Sequence, residues 1–310
     1  MPLVIGTRGS RLALAQTERV CRLLAARDVE VETALIRTRG DEETGVPLHE
    51  IGGQGLFVKA LDDAILRGEI DCAVHSMKDI PVKRPDGLVT IAILERDSPA
   101  DFLALSTSME EAAIVGTSSL RRRAQILRHD GTLEVRPLRG NVDTRIRRLL
   151  AGDFHAIILA EAGLARLDIR LRGYRLPPEK FVPTANQGAI AVVSRDEPWP
   201  RIPLSALDHA PTRQDVLAER AVIEELGAGC FTPVGVYCRE GHLVAEVLSL
   251  DGKRTEKVEE QVTDPDAARA CGRLLAEKAK DLLVEARALT AAKEPAAGTE
   301  PAGRKDAAEG

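Results

Sequence analysis

Apolar residues recur along this chain in two rhythms: short unbroken runs, and stripes spaced three or four apart. Runs bounded by glycine or polar residues read as buried strands, and spaced stripes as helices with one face on a core. Leu3 to Thr7 reads as a strand ending in Arg8-Gly9-Ser10, where Ser10 can cap a helix running to about Ala26. In that helix Leu12, Ala13, Val20, Leu23 and Leu24 share an arc of roughly 120°, the core-facing stripe. A strand at Val29 to Thr38, a polar glycine-rich stretch from Arg39 to Gly55 and a helix from about Leu56 to Arg67 follow. Ile70 to Val74 and Leu88 to Leu94 are two more strands.

From Asp97 the pattern restarts. Ile114-Val115-Gly116-Thr117-Ser118-Ser119 runs from strand into capped helix, much as Val4-Ile5-Gly6-Thr7 leads to Ser10. A strand at Leu133 to Leu138, a helix from Val142 to Leu150 and a strand at Ala156 to Leu159 complete a second α/β unit. Ala189 to Ser194 is one more strand, returning the chain to the first unit, and the Pro198-Trp199-Pro200-Arg201-Ile202-Pro203 run reads as a connector. Thr212 with Asp215 three residues on reads as a capping box, opening a helix with Ala218, Val222, Ile223 and Leu226 on its buried stripe. A meander follows: Val234 to Cys238, a Glu240-Gly241 turn, Leu243 to Leu250, an Asp251-Gly252 turn and Thr255 to Val262. A last helix spans about Asp266 to Ala288, and the final twenty residues, lacking any large apolar side chain, read as a disordered tail. The expected domains are 1–95 with 187–203, 96–186 and 204–290, with the tail at 291–310.

Composition narrows this picture. At 310 residues, with 44% apolar and 29% charged residues, the chain suits a soluble protein of two or three domains. Its aliphatic runs are too short to span a bilayer, and no signal peptide is expected at the N-terminus. Five cysteines without paired CxxC spacing argue against a disulfide framework or zinc site and for a reducing, cytoplasmic setting. Net charge is −5, yet nine arginines stand between Arg121 and Arg148 against only Asp130, Glu134 and Asp143. That segment calls for an anionic partner. It holds no aromatic residue to stack on bases, so carboxylates or phosphates of a small molecule fit better than nucleic acid.

Three features carry candidate chemistry. The two strand–Gly-Thr–Ser–helix junctions each aim free N–H groups and a positive helix end at one spot, with Arg8 at one and Arg121-Arg122 at the other. They are anion sites facing across a cleft, or simply well-capped helices. His75-Ser76-Met77-Lys78-Asp79-Ile80-Pro81 follows a strand, where ligand-facing loops of α/β sheets lie. Lys78 and Asp79 side by side read as a solvated ion pair, as most such pairs are; in a dry cleft, however, an ionised Asp79 could stabilise a cation or accept from ring N–H donors. His75 has no partner at metal-ligand spacing and is expected in the core or behind the site. Cys230, in Gly227-Ala228-Gly229-Cys230-Phe231-Thr232-Pro233, sits on a glycine-rich loop where a thiol is a good covalent attachment point, though free cysteines are more often buried small hydrophobes.

Together these segments resemble the porphobilinogen deaminase (hydroxymethylbilane synthase) family. The matching stretches are Gly6-Thr7-Arg8-Gly9-Ser10, Thr38-Arg39-Gly40-Asp41, Gly55-Leu56-Phe57-Val58-Lys59 and Asp71 to Asp79. They continue with Val115 to Arg122, Leu138 to Val142, Ile157 to Ala160, Asn186 to Ala189, and Glu219-Arg220 through Cys230 and Pro233. The resemblance implies two α/β domains of the periplasmic-binding-protein type, with mixed sheets flanking a cleft, and a C-terminal α+β domain with a three-stranded antiparallel sheet. It implies a transferase that condenses four porphobilinogen molecules, with loss of ammonia, into the linear tetrapyrrole hydroxymethylbilane for porphyrin and heme biosynthesis. By the same likeness Cys230 carries a dipyrromethane cofactor through a thioether. Asp79 would be catalytic, holding pyrrole N–H groups and stabilising the cation left when ammonia departs. Lys78, Thr117, Ser118, Ser119, Arg121 and Arg122 would hold the cofactor with it. Arg8, Ser10, Arg139, Arg145, Arg166 and Gln187 would bind substrate. The family also implies a cytoplasmic monomer without metal, nucleic-acid or membrane partners.

Two positions depart from the family's pattern. Gln54 stands where many relatives have lysine, and Asp143 where some have glycine; helical spacing makes Arg147 a local partner for Asp143. Two other classes compete with the enzyme: a cytoplasmic two-domain anion-binding protein, and a nucleic-acid binder using the arginine segment.

Overall fold

A computed structural model describes residues 2–36, 56–106, 113–227 and 232–291. The first layer opens with β1 (Leu3–Thr7), α1 (Arg11–Ala25), β2 (Val31–Leu35), α2 (Leu56–Leu66), β3 (Cys72–Ser76) and β4 (Leu88–Ile93). β1 is buried on both faces because helices cover both. Leu3 and Ile5 pack with Val20 and Leu24 of α1, whereas Leu61 and Ile65 of α2 cover the opposite face. The stripe expected on α1 is met by Val20 and Leu24, but Leu12, Ala13 and Leu23 are only half-buried. Gln16 and Thr17 share the buried face, with hydrogen bonds to the Ser76 and Thr7 hydroxyls, both at 2.8 Å.

The second layer comprises β5 (Asp101–Leu105), β6 (Ile114–Gly116), α3 (Leu120–His129), β7 (Glu134–Arg136), α4 (Val142–Leu150), β8 (Ala156–Ala160), α5 (Glu161–Arg166) and β9 (Gly173–Leu176). β10 (Ile190–Arg195) then re-enters the first sheet as an antiparallel strand between β3 and β4. The sheets run β2-β1-β3-β10-β4 and β7-β6-β8-β5-β9. The second repeats the first: three parallel strands, then an antiparallel strand, β5, supplied by another part of the chain.

The repeated Gly-Thr junction has one packing cause in both sheets. A Cβ on Gly6 would come within 2.3 Å of Ile70 Cδ1, and one on Gly116 within 2.7 Å of Phe154 Cδ1. Each glycine therefore lets a large apolar side chain lie against the strand's end. Ser10 and Ser119 then cap α1 and α3, accepting from the N–H groups of Ala13 (3.2 Å) and Arg122 (3.4 Å).

Beyond β10 come α6 (Pro198–Ser205), α7 (Ala210–Leu226), β11 (Val234–Arg239), β12 (His242–Leu248), β13 (Thr255–Gln261), α8 (Pro265–Lys278) and α9 (Lys280–Ala291). The sheet β11-β12-β13 is antiparallel, and α7 and α8 pack on it through Val222, Leu226, Val236, Leu243, Ala245 and Leu275. Three expectations are corrected here. The proline run folds as α6, not as an open connector, with Leu204 packed under the first sheet. α7 begins before Thr212: His209 caps it, Pro211 fits the first turn where no N–H is needed, and the buried Thr212 hydroxyl accepts from Arg96 N at 3.1 Å. The last helix breaks at Ala279 into two, although Leu275, Ala279, Leu282, Leu283 and Ala286 keep one buried stripe. The tail beyond residue 291 lies outside the described residues.

Candidate functional site

The chain crosses twice between the two five-stranded sheets, after β4 and before β10, and the candidate site is built at that crossing. From the first sheet, β3 ends in a single 3₁₀ turn, Met77–Asp79. The turn is fixed by Met77 N–H donating to Ala189 O at 3.0 Å and Ile80 N–H to Met77 O at 3.2 Å. Lys78 and Asp79 both reach solvent from it. From the second sheet, Thr117, Ser118 and Ser119 lead out of β6 into α3, which carries Arg121 and Arg122. α7 closes the remaining side. A cavity of about 120 Å³ lies where these elements meet, lined by Lys78, Ile80, Ser119, Arg121, Asn186 and Arg220 among others.

Its electrostatics turn on Asp101, fully buried at the start of β5. Arg121 Nη2 donates to one carboxylate oxygen at 2.9 Å, while Arg122 Nη2 (2.7 Å) and the Gln187 amide (2.8 Å) share the other. Burial alone would raise the Asp101 carboxyl, but Arg122 and Arg121 outweigh it and hold it well below the usual carboxylate range. One buried acid thus faces two buried guanidiniums, and further cations lie near. Lys78 reaches solvent, yet lost hydration, with Arg122 and Arg121 nearby against Asp79 and Asp101, pulls it down to about 8. Burial, and then Arg122, take Arg145 down to about 10. The Nε groups of Arg121 and Arg122 are buried and have no hydrogen-bond partner. Positive charge in excess and two unsatisfied donors fit a ligand bearing several carboxylates.

The other expected site residues fall into three groups. Thr117 and Ser118 serve the junction: Thr117 Oγ1 accepts from Ser119 N–H at 3.2 Å, and the Ser118 hydroxyl donates to Leu138 O at 2.9 Å. Arg8, Ser10, Arg139 and Arg145 belong to the rims of the two junctions. Arg8 is half-buried and Arg139 exposed, while Arg145 Nε donates to Gly140 O at 2.7 Å. Arg166 and Gln187 instead sit at the crossing of the linking segments. Arg166 donates to Asp97 (2.7 Å) and Gly188 O (2.6 Å), and fully buried Gln187 donates to Pro99 O at 2.8 Å and accepts from Lys78 Nζ at 3.4 Å. Cys230, Gln54 and the Thr38–Asp41 stretch lie outside the described residues.

His75 is core, as expected: it is 5% exposed, and burial with Arg84 and Arg8 nearby lowers it to about 3. Asp143 departs from expectation. Its carboxylate takes Arg11 Nη1 of α1 at 2.5 Å rather than Arg147, because the first turns of α1 and α4 meet across the cleft.

Sequence reasoning missed Asp101, whose signal is an acid directly before the apolar run Phe102-Leu103-Ala104-Leu105. It also missed the pair that ties the third layer to the crossing. Arg96 donates to Glu219 of α7 at 2.6 Å and to Gln187 O at 2.9 Å, and Glu219 also accepts from Cys238 N–H at 2.8 Å.

Two family models match this chain: porphobilinogen deaminase, dipyromethane cofactor binding domain, over residues 3–199, and porphobilinogen deaminase, C-terminal domain, over residues 213–281. The chain belongs to the porphobilinogen deaminase family. Among the family's curated members, a probable porphobilinogen deaminase from Methanosarcina acetivorans is 48% identical, covering 96% of this chain and 98% of its own length. The porphobilinogen deaminase of Desulforudis audaxviator is 46% identical, covering 88% and 93%. Of solved structures, the methionine-binding protein MetQ aligns with a TM-score of 0.40 at 12% identity, over 71% of this chain and 93% of that one.

Proposed function

We propose that this chain is the transferase its family name describes, condensing porphobilinogen head to tail with release of ammonia into hydroxymethylbilane. The observation that carries the reading is the family match across both the cofactor-binding and C-terminal regions. The buried, unsatisfied Arg121 and Arg122 donors support it, since a cofactor with acetate and propionate arms would satisfy them. An anion-binding protein of the transport type does not account for that match, nor does a nucleic-acid binder.

Cys230 would hold the family's dipyrromethane cofactor through its sulfur, and the bound group would supply a nucleophilic pyrrole carbon for chain extension. Arg121 and Arg122 would hold its carboxylates through Nε, helped by Lys78, Ser119 and the Thr117-Ser118 turn. Asp79, on a turn fixed at both ends, accepts pyrrole N–H groups and opposes positive charge as ammonia leaves. Arg8, Ser10, Arg139 and Arg145 bind the acidic arms of incoming substrate. Arg166 and Gln187 serve the same site from the crossing, by holding Asp97, Asp101 and Lys78 in place. The three sheets would be three domains, 1–95 with 187–203, 96–186 and 204–290. The molecule would act as a cytoplasmic monomer; the free thiols of Cys21, Cys72, Cys238 and Cys271 suit a reducing setting. Among the described residues no helix is long and apolar enough to cross a membrane.

The test is turnover. Purified protein given porphobilinogen should release one ammonia per substrate consumed and yield a linear tetrapyrrole. Closure on porphobilinogen without ammonia release would refute the enzyme and favour a binding protein.

A further inference from the structure

Arg220 lies on α7, half-buried, one residue past the Glu219 that binds Arg96. Its guanidinium serves backbone. Nη1 donates to Ile80 O at 3.1 Å, and Nη2 to Pro81 O at 2.6 Å and Val82 O at 3.2 Å. No ion pair to Arg220 exists among the described residues: Glu224, one turn on, is held by Arg269 at 2.5 Å, and the neighbouring charge is another cation, Arg84, paired with Asp62 at 2.8 Å. A cation set beside a cation in a partly dry space is steadied by the three carbonyl dipoles it grips, with Glu224 as a counter-charge beyond ion-pair distance.

Those carbonyls belong to the three residues that leave Asp79. On the other side the Asp79 turn is already fixed, by Met77 N–H to Ala189 O and Ile80 N–H to Met77 O. Arg220 therefore completes the restraint, and it does so from a different layer of the molecule. α7 ends at Gly227 in the left-handed conformation (φ 53°), and the chain reaches Cys230 three residues later. One helix thus leads to the attachment cysteine at its end and grips the loop of the catalytic carboxylate along its side.

We propose that Arg220 is a positioning residue that locks the Asp79 loop to the helix leading to Cys230, fixing where the carboxylate stands relative to the cofactor. The inference rests on the proposed function and deepens it. A lysine offers a point charge and cannot hold three spread carbonyls at once, so Arg220→Lys should be intermediate and Arg220→Gln severe.

The experiment measures porphobilinogen turnover by the holoenzyme and by Arg220→Lys, Arg220→Gln and Arg269→Ala, with the cofactor counted by intact mass. Arg220→Gln should lower kcat by about ten- to a hundred-fold with KM within about threefold, since small misplacement of a catalytic group is costly. Its cofactor mass should be retained, Arg220→Lys should recover part of the loss, and Arg269→Ala should match the unaltered protein. In an Asp79→Asn background, Arg220→Gln should add no more than about twofold in single-turnover rate, because residues acting through one group are non-additive. An unaltered kcat, a raised KM with kcat preserved, or full additivity with Asp79→Asn would overturn the inference. If Arg220→Gln fails to fold, Arg220→Lys carries the same comparison. An unaltered protein that does not consume porphobilinogen sinks the proposed function, and this inference with it.

Discussion

Lys78 and Asp79 are adjacent residues whose surroundings give them opposite duties. Lys78 has lost hydration, and with Arg122 and Arg121 nearby this outweighs Asp79 and Asp101, so its protonated form is disfavoured and its pKa falls to about 8. A cofactor carboxylate bound at Nζ restores that pKa, so cofactor binding takes up a proton above about pH 8, and the apoprotein's affinity for the acidic dipyrromethane falls as pH climbs past that point. Cofactor uptake by the apoprotein, followed by intact mass from about pH 7 to 9.5, should weaken on the alkaline side, and Lys78→Arg, whose charge persists there, should flatten that limb. Identical profiles for the two proteins would remove Lys78 from cofactor binding. Asp79→Asn should cut turnover by at least about a hundredfold while leaving fold and cofactor mass unchanged, because it removes the charge that opposes the developing cation. Wild-type turnover in that variant would contradict the role. The place of both residues was legible in the sequence, because they directly follow a buried strand. Asp101 was not, because a single acid before an apolar run looks like an ordinary strand boundary until its two arginines are seen around it.

Elements with a clear period were readable almost to the residue, as with β1 (Leu3–Thr7) and α4 (Val142–Leu150). β9 and α5 were not marked out in the sequence because each is short, β5 because its apolar run follows Pro99 and Asp101 in a stretch that reads as a linker, and α6 because its prolines normally signal an open segment. The joints between elements were equally hidden, since they depend on contacts between residues far apart in the chain. Arg96 and Glu219 are separated by 123 positions, yet they form the buried pair joining α7 to the crossing (side chains 9% and 0% exposed). Glu219→Ala would strand the Arg96 guanidinium and two backbone N–H groups away from water. Removing one partner of a buried pair costs about 3–5 kcal/mol, and urea unfolding of the variant should show a loss of that order. A loss below about 1 kcal/mol would mean that the third layer is held chiefly by apolar packing instead.

At the scale of the whole molecule, two similar five-stranded sheets are linked by the crossing segments, and the third layer is tied to that crossing by Glu219 of α7 and Arg96. Charge separates along the same lines. Arginines gather on α3, α4 and the neighbouring loops; Arg128 pairs with Glu246, Arg136 with Glu134 and Arg148 with Asp153, while Arg121 and Arg122 share Asp101. An organic polyacid fixed there, as proposed, would satisfy the buried Nε donors of Arg121 and Arg122. Such a group leaves a mark that does not depend on any assay of activity. Intact-mass measurement of the purified, active protein should give a value above that of the sequence by two linked pyrrole units, and the Cys230→Ser protein should give the bare sequence mass and no turnover. Full activity at the bare sequence mass would contradict the account.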